Sequence, residues 1–365
     1  MKLSKMELGG FKSYDDGPHE LRLGDVTVLL GANGAGKSNL ISLFNLMAFG
    51  MSGNLQGYVL RNDAFALLHY GPDVTDELKF AVFFGDDCVS DEYRVSLSFA
   101  KPERLYVGSE SIRYKKKDEP VPFEKKLPGG FELGLPRETD SASLYLKRLL
   151  QGIHVYRFEN TSDTSRIKAR GYVDDNTCLR SDAGNLAAFL YRMKTSDTCR
   201  RYYDRIVSFI RKAMPQFGDF RLELQDGEFV RLNWVDVEEN HLLGPHQLSD
   251  GSLRFMALTT LLLQPPQWRP GVIVLDEPEL GLHPQAVVLL ASMIRMAAVH
   301  SQVVVSTQST SLVDEFSPDD IAVVEWNAKR KSSEIKRLSA AELGDWVENY
   351  SLSELWEKNV FGGQP

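Results

Sequence analysis

The chain has 365 residues, 42 basic and 50 acidic, a formal net charge of −8 with histidines neutral, and 43 % hydrophobic content. That composition is ordinary for a globular protein of about two domains with a sizeable core, and it excludes a disordered or fibrous chain and one that coats nucleic acid wholesale. The opening MKLSKMELGG has no apolar signal stretch, and the longest nearly apolar run, Ala286 to Ile294, is far short of the roughly 20 residues that span a bilayer. Cys88, Cys178 and Cys199 are too few and too scattered for a disulfide framework or a zinc site. The expectation is a reducing, cytoplasmic setting with no membrane association.

In chain order, Val26 to Leu30 (VTVLL) reads as a short buried strand running into a glycine loop. Ser38 to Ala48 then carries helical spacing, closing at Gly50. From Glu77 to Arg113 the segments ELKFAVFF, YRVSLSF and RLYVGSESIRY alternate between GDD and KPE turns, which predicts an antiparallel sheet. KKKDEP and LPGG read as an exposed loop of about 20 residues. Helices are predicted over Ser141 to Leu150 and Gly184 to Met214, and over Ser252 to Leu263, where Pro265-Pro266 stops the run. Strand Val272 to Leu275, helix Pro284 to Val299 and strands Val303 to Ser306 and Ile321 to Glu325 follow. Short Val/Ile/Leu runs between helices predict a parallel sheet buried on both faces, so the glycine loop and these late strands belong to one split α/β unit.

Two motifs carry chemistry. Gly31-Ala-Asn-Gly-Ala-Gly-Lys-Ser38 fits G-x-x-x-x-G-K-[ST] after a strand and before a helix, the phosphate-loop context. Backbone N–H groups from Asn33, Gly34, Ala35 and Gly36 to Asn39 would wrap phosphates at the helix N-terminus, Lys37 would reach the β/γ-phosphates and Ser38 a Mg²⁺ ion. Val272-Ile-Val-Leu-Asp-Glu277 places two carboxylates at a strand end, where ligands bind in open α/β sheets. Asp276 would hold Mg²⁺, directly or through water, and Glu277 would orient and polarise an attacking water.

Leu248-Ser-Asp-Gly251 lies about 25 residues before Asp276 and leads into an apolar helix. Here the sequence resembles the ABC-type ATPases, with Ser249 and Gly251 matching the LSGGQ-like signature and Asp250 in place of its middle glycine. The resemblance implies that Ser249 and Gly251 contact the γ-phosphate bound to a second subunit. Val303-Val-Val-Ser-Thr-Gln-Ser309 ends where such proteins carry a switch histidine, and Gln308 stands there instead. A glutamine can still donate a hydrogen bond to the γ-phosphate or the water but cannot carry a proton at neutral pH. Together with Phe11-Lys-Ser13 and Pro278-Glu-Leu-Gly-Leu-His-Pro284, these motifs resemble the SMC/RecF/OLD branch, and within it compact bacterial ATPases of similar length. Further shared segments are Val155-Tyr-Arg-Phe158, Leu179 to Leu186 and Leu355 to Pro365.

The fold implied is α/β: an ABC-type P-loop ATPase head with an antiparallel β lobe and a helical insert. Its expected division is 1–135 for the first lobe, 136–240 for the mainly helical insert and 241–365 for the second lobe with signature, Walker B, switch strand and tail. About 210 residues separate Ser38 from Ser249, too few for the coiled-coil arms of SMC proteins, and roughly 60 follow Gln308, too few for a TOPRIM nuclease. His283 lacks a second ligand at metal-binding spacing.

The expectation is therefore a homodimerising Mg²⁺-ATP-dependent ATPase whose output passes to something else. Two outputs compete: a sensor for a separately encoded effector, in antiviral defence or DNA surveillance, and a RecF-like repair or chromosome-maintenance clamp that binds duplex DNA directly. For the clamp, Arg200, Arg201, Arg205, Arg211 and Lys212 could line a groove and Lys115 to Lys117 could reach phosphate, although charges of this kind often form a solvated face. A nucleotide-gated scaffold with negligible turnover is the non-enzyme alternative that Gln308 keeps open. The net charge of −8 weighs towards a protein partner. The tail's Leu352, Leu355 and Trp356 are expected to fold back on the lobe.

Overall fold

A computed structural model describes residues 1–85, 90–115, 123–238 and 241–364. Its centre is a six-stranded sheet in the order Ser332–Arg337, Ile321–Asn327, Val26–Leu30, Gln302–Thr307, Val272–Asp276 and Ile153–Tyr156. All neighbours are parallel except the first pair. VTVLL and VIVLD are buried throughout, because helices cover both faces. Side chains alternate between the two covers with the period of 2 that a pleated strand imposes. Val272, Val274 and Val304 face the helix Lys37–Met51, whereas Ile273, Leu275, Val303 and Val305 face Leu186–Thr195, Arg200–Ala213, Asp250–Leu263 and Pro284–Ala298.

The helix Lys37–Met51 is buried on its other side by a second, antiparallel sheet in the order His19–Arg22, Leu3–Gly9, Glu77–Gly85, Ser90–Ala100, Arg104–Lys115 and Phe123–Lys126. The three central strands are those the alternating pattern predicts. Leu3–Gly9 joins them through long-range pairing to Glu77–Gly85.

The first helix closes within one residue of Gly50, at Met51, and a Cβ on Gly50 would lie 2.4 Å from Leu133 Cδ1. Two local expectations need correction. The segment after residue 122 is not simply an exposed loop. Phe123–Lys126 pairs with Arg104–Lys115, and Leu127, Leu133 and Leu135 are buried. Buried Glu110 holds the segment down by accepting hydrogen bonds from the Gly134 and Leu135 N–H groups at 2.6 and 2.9 Å and from the Tyr93 hydroxyl at 2.7 Å. The helical stretch from Gly184 to Met214 is two helices, broken between Thr195 and Arg200.

The C-terminal tail folds back as expected. Leu352, Leu355, Trp356 and Phe361 are buried, and the Gly363 carbonyl accepts from the Ala32 N–H at 2.9 Å. Among the described residues no helix is long and apolar enough to cross a membrane.

Candidate nucleotide site

Strand register assembles the site. Leu30 lies beside Thr307, Ser306 beside Asp276, and Leu275 beside Tyr156. The P-loop, the Gln308 segment, the two carboxylates and Arg157 therefore leave the sheet side by side at its carboxyl end, although more than 270 residues separate the first from the second.

The P-loop is held by the opening Phe11-Lys-Ser13 segment and by the edge strand Ser332–Arg337. Ser333 Oγ lies 2.6 Å from the Ala35 carbonyl and 2.7 Å from Ser13 Oγ, and the Tyr14 hydroxyl donates to the Gly36 carbonyl at 3.2 Å. Gly36 has φ +117°, and a Cβ there would meet Ser333 Oγ at 2.3 Å, so only glycine fits both the backbone angle and the space. Asn39 Nδ2 donates to Ser13 Oγ at 2.8 Å. Asn33, Gly34 and Ser38 are exposed at the mouth, while Ala35, Gly36 and Lys37 are buried. The Lys37 ammonium donates to the carbonyls of Gly31 (2.6 Å) and Ala32 (3.0 Å), a curled arrangement that satisfies a buried cation. Burial lowers its pKa from the usual lysine range, and the nearby Glu277, Asp276 and Glu279 carboxylates pull the other way.

Asp276 is buried, with Oδ2 2.5 Å from the Arg157 guanidinium and Oδ1 without a hydrogen-bond partner. Glu277 is half-buried with a left-handed φ of +43°, rare for a residue with a side chain, and its N–H donates to the Ser306 carbonyl at 2.9 Å. That hydrogen bond carries the sheet ladder one step beyond the strand while the backbone turns. Glu279 is buried too: Thr307 Oγ1 donates to its Oε1, and Oε2 has no partner. Burial, with a smaller contribution from the Glu277 carboxylate, raises its pKa above the usual glutamate range against the opposing Thr307 hydrogen bond. Gln308 is half-buried beside this cluster.

The signature turn is built differently. Ser249 is exposed and caps the helix Asp250–Leu263, its Oγ accepting from the Ser252 N–H at 3.1 Å. Among the described residues its hydroxyl bonds only to Ser252. A Cβ on Gly251 would lie 2.2 Å from the Gly281 carbonyl, so the turn and the loop after Glu277 touch backbone to backbone. Arg254 fastens the same junction, donating to the carbonyls of Phe158 (2.9 Å), Glu159 (3.2 Å) and Leu280. His283 caps the helix Pro284–Ala298, its Nδ1 accepting from the Gln285 N–H.

Residues 26–314 match the family described as "AAA domain, putative AbiEii toxin, Type IV TA system". The chain belongs to this family. No curated protein sequence matches this AAA-domain chain. Among solved structures, an SmcHead bound to the C-winged helix domain of ScpA is similar at 17 % identity and a TM-score of 0.60, over 94 % of this chain and 99 % of the other. An Smc head domain with an extended coiled coil, bound to the C-terminal domain of ScpA derived from Pyrococcus furiosus, is similar at 15 % identity and 0.58, over 95 % and 98 %. The SMC head domain from Thermotoga maritima gives 15 % and 0.52, over 93 % and 100 %. At these identities the likeness is one of fold: the chain folds like an SMC head domain.

Several residues of this site lie in segments that the sequence marked by resemblance alone, without a role. Arg157 directly follows a four-residue strand, inside the shared segment Val155 to Phe158. Lys12, whose ammonium donates to Ser42 Oγ at 2.6 Å, and Ser13 were signalled only by the FKS opening. They line a shallow cleft beside the P-loop helix with Asn39, Asp63, Phe65 and Tyr70. Arg254 lies three residues beyond Gly251, and Glu279 sits inside Pro278 to Pro284.

The arginines considered for DNA are engaged locally. Arg200 pairs with Asp204 at 2.9 Å, Arg201 donates to the Tyr202 hydroxyl, Arg205 reaches Met296 Sδ, Arg211 donates to the Gly218 carbonyl at 2.8 Å, and the Lys212 ammonium sits 4.7 Å from the centre of the Phe209 ring. Lys115 also has an interaction partner, and Lys116 and Lys117 lie outside the described residues, as does Cys88.

Proposed function

We propose that the protein is a Mg²⁺-dependent ATPase that homodimerises around ATP and acts as sensor or regulator of a separately encoded effector, in antiviral defence or DNA surveillance. One observation carries this reading: Lys37, Asp276 and Glu279 at the strand ends are buried, whereas Ser249 is exposed and, among the described residues, bonded only within its own turn. A phosphate seated on the P-loop of one copy is the partner that turn lacks, and it is supplied by a second copy.

In this reading the backbone from Asn33 to Asn39 and the Lys37 ammonium bind the phosphates, and the nucleoside lies along the Lys12 cleft. The orphaned, buried Oδ1 of Asp276 and the exposed Ser38 hydroxyl fit a divalent cation, which would supply charge neutralisation to the β- and γ-phosphates. Glu277 orients and polarises water, whose oxygen bonds to the γ-phosphorus as the bond to the β–γ bridging oxygen breaks, its proton passing to the released phosphate. Gln308 donates a hydrogen bond without taking the proton, which fits turnover that is slow or partner-stimulated. Because the closed dimer binds nucleotide better than the open monomer, ATP shifts the equilibrium towards closure. In this scheme the signature turn of 241–365 in one copy closes on the P-loop of 1–135 in the other, in the cytoplasm, and the span 136–240 contributes the edge strand Ile153–Tyr156 and Arg157 to the same sheet end.

Glu277→Gln tests it. Size-exclusion chromatography with ATP should show a stable dimer for the variant and a largely monomeric wild type. A variant that stays monomeric and hydrolyses ATP normally sinks the composite site. The DNA-clamp reading is less favoured on the net charge of −8, although Arg200, Arg201, Arg205, Arg211 and Lys212 are exposed. ATP-dependent DNA binding that falls steeply with salt would restore it.

A further inference from the structure

Arg157 is the first residue after the edge strand Ile153–Tyr156, and its own N–H is anchored on the Ser181 carbonyl at 3.0 Å. The pairing of Tyr156 with Leu275 sets it beside Asp276, and its guanidinium lies 2.5 Å from Asp276 Oδ2. The Asp276 side chain is 6 % exposed, the Arg157 side chain 44 %. The other cation nearby, Lys37, spends its hydrogen bonds on the carbonyls of Gly31 and Ala32. Among the described residues Arg157 is therefore the only ion-pair partner of a buried carboxylate whose second oxygen is unsatisfied. A buried charge stripped of its partner is costly, so a ligand-free protein needs that guanidinium. Yet the arginine reaches in from a half-exposed position, on the side of Lys12, whose charge repels it.

Resting on the nucleotide reading above, we propose that Arg157 is a displaceable counter-ion: it neutralises Asp276 in the nucleotide-free protein, so a divalent cation must compete with it and enters together with ATP rather than ahead of it. Arg157 is a positioning residue in this scheme and acts through Asp276. A site occupied by its own counter-ion most of the time weakens apparent cation affinity by the fraction left open.

The test uses the full chain without nucleotide, titrated with Mn²⁺ and read from the electron-paramagnetic-resonance signal of the free ion. Arg157→Met should bind one Mn²⁺ about fivefold more tightly than the wild type if the guanidinium covers Asp276 some four-fifths of the time. Arg157→Lys should fall between the two. In EDTA, Arg157→Met should unfold at a lower temperature than the wild type, and Arg157→Met with Asp276→Asn should recover that loss. A role in folding alone would lower the unfolding temperature in both backgrounds and leave Mn²⁺ affinity unchanged. Equal or weaker Mn²⁺ binding by both Arg157 variants overturns the proposal. A wild type that fails to bind a fluorescent ATP analogue with Mg²⁺ removes the nucleotide reading instead, and the EDTA comparison still reports on the Arg157–Asp276 pair.

Discussion

The carboxyl end of the parallel sheet and the signature turn share one loop, Pro278 to Pro284, yet they are built on opposite plans. At the sheet end Lys37, Asp276 and Glu279 are buried, and three of their neighbours, Ser13, Ser333 and Thr307, exist chiefly to hold backbone and carboxylate in place. At the turn, Ser249 and Asp250 are exposed, and rigidity comes from behind, through Gly251 against Gly281 and Arg254 across three carbonyls. A site pre-organised on one side and presented to solvent on the other is what a ligand shared between two copies requires. On the proposed function, nucleotide affinity rests with the first region and closure with the second.

The largest effect is expected from Lys37→Met, which removes the P-loop cation. Affinity of the monomer for an ATP analogue, followed by fluorescence, should fall about 100-fold or more, equivalent to roughly 3 kcal/mol. Gly251→Val is the matching break on the other side. Its side chain would collide with the Gly281 carbonyl, so the ATP-dependent dimer should be lost from sedimentation profiles while nucleotide affinity of the monomer stays within about twofold. If Gly251→Val weakens monomer binding as much as Lys37→Met, the division of labour is wrong. Arg254→Ala should act at both regions at once, since its carbonyl partners lie on the Arg157 loop and on the loop after Glu277. Loss of charge-assisted hydrogen bonds at a part-exposed site should cost about 2 kcal/mol in denaturant unfolding and weaken dimerisation more than monomer binding.

What could be read in advance follows the same division. The P-loop and the VIVLDE strand are local patterns: glycine spacing, an apolar run and the residues at its end, all within a few positions. The signature turn is equally local, but S-D-G alone is only a helix cap, and its meaning came from resemblance. Arg157 was illegible because a four-residue strand pairs with Val272–Asp276 across more than 100 residues of chain, and no local spacing records that. The short edge strand Phe123–Lys126 follows charged, proline-bearing text and takes its structure from its partner strand rather than from its own sequence.

The smallest expected effect concerns Glu279, which sits on the loop the two regions share and is buried with the first. Its carboxyl is driven above the ordinary glutamate pKa, first by burial and then by Glu277. Below the unfolded value of about 4.3, folded and unfolded chains both hold the proton and the group costs nothing. As pH rises past that value the unfolded chain releases its proton first, so stability falls until the folded group has also ionised. Glu279→Gln keeps the acceptor for the Thr307 hydroxyl and removes the ionisation. In the nucleotide-free protein it should therefore match the wild type near pH 4 and exceed it by about 1 kcal/mol at pH 8, measured by urea unfolding at each pH. A constant difference across that range would mean that Glu279 titrates alike in the folded and unfolded chains, the cost of its burial being offset by Lys37. The buried cluster would then be a charge-balanced network, and closing the signature turn of a second copy over it would have to preserve that balance rather than supply it.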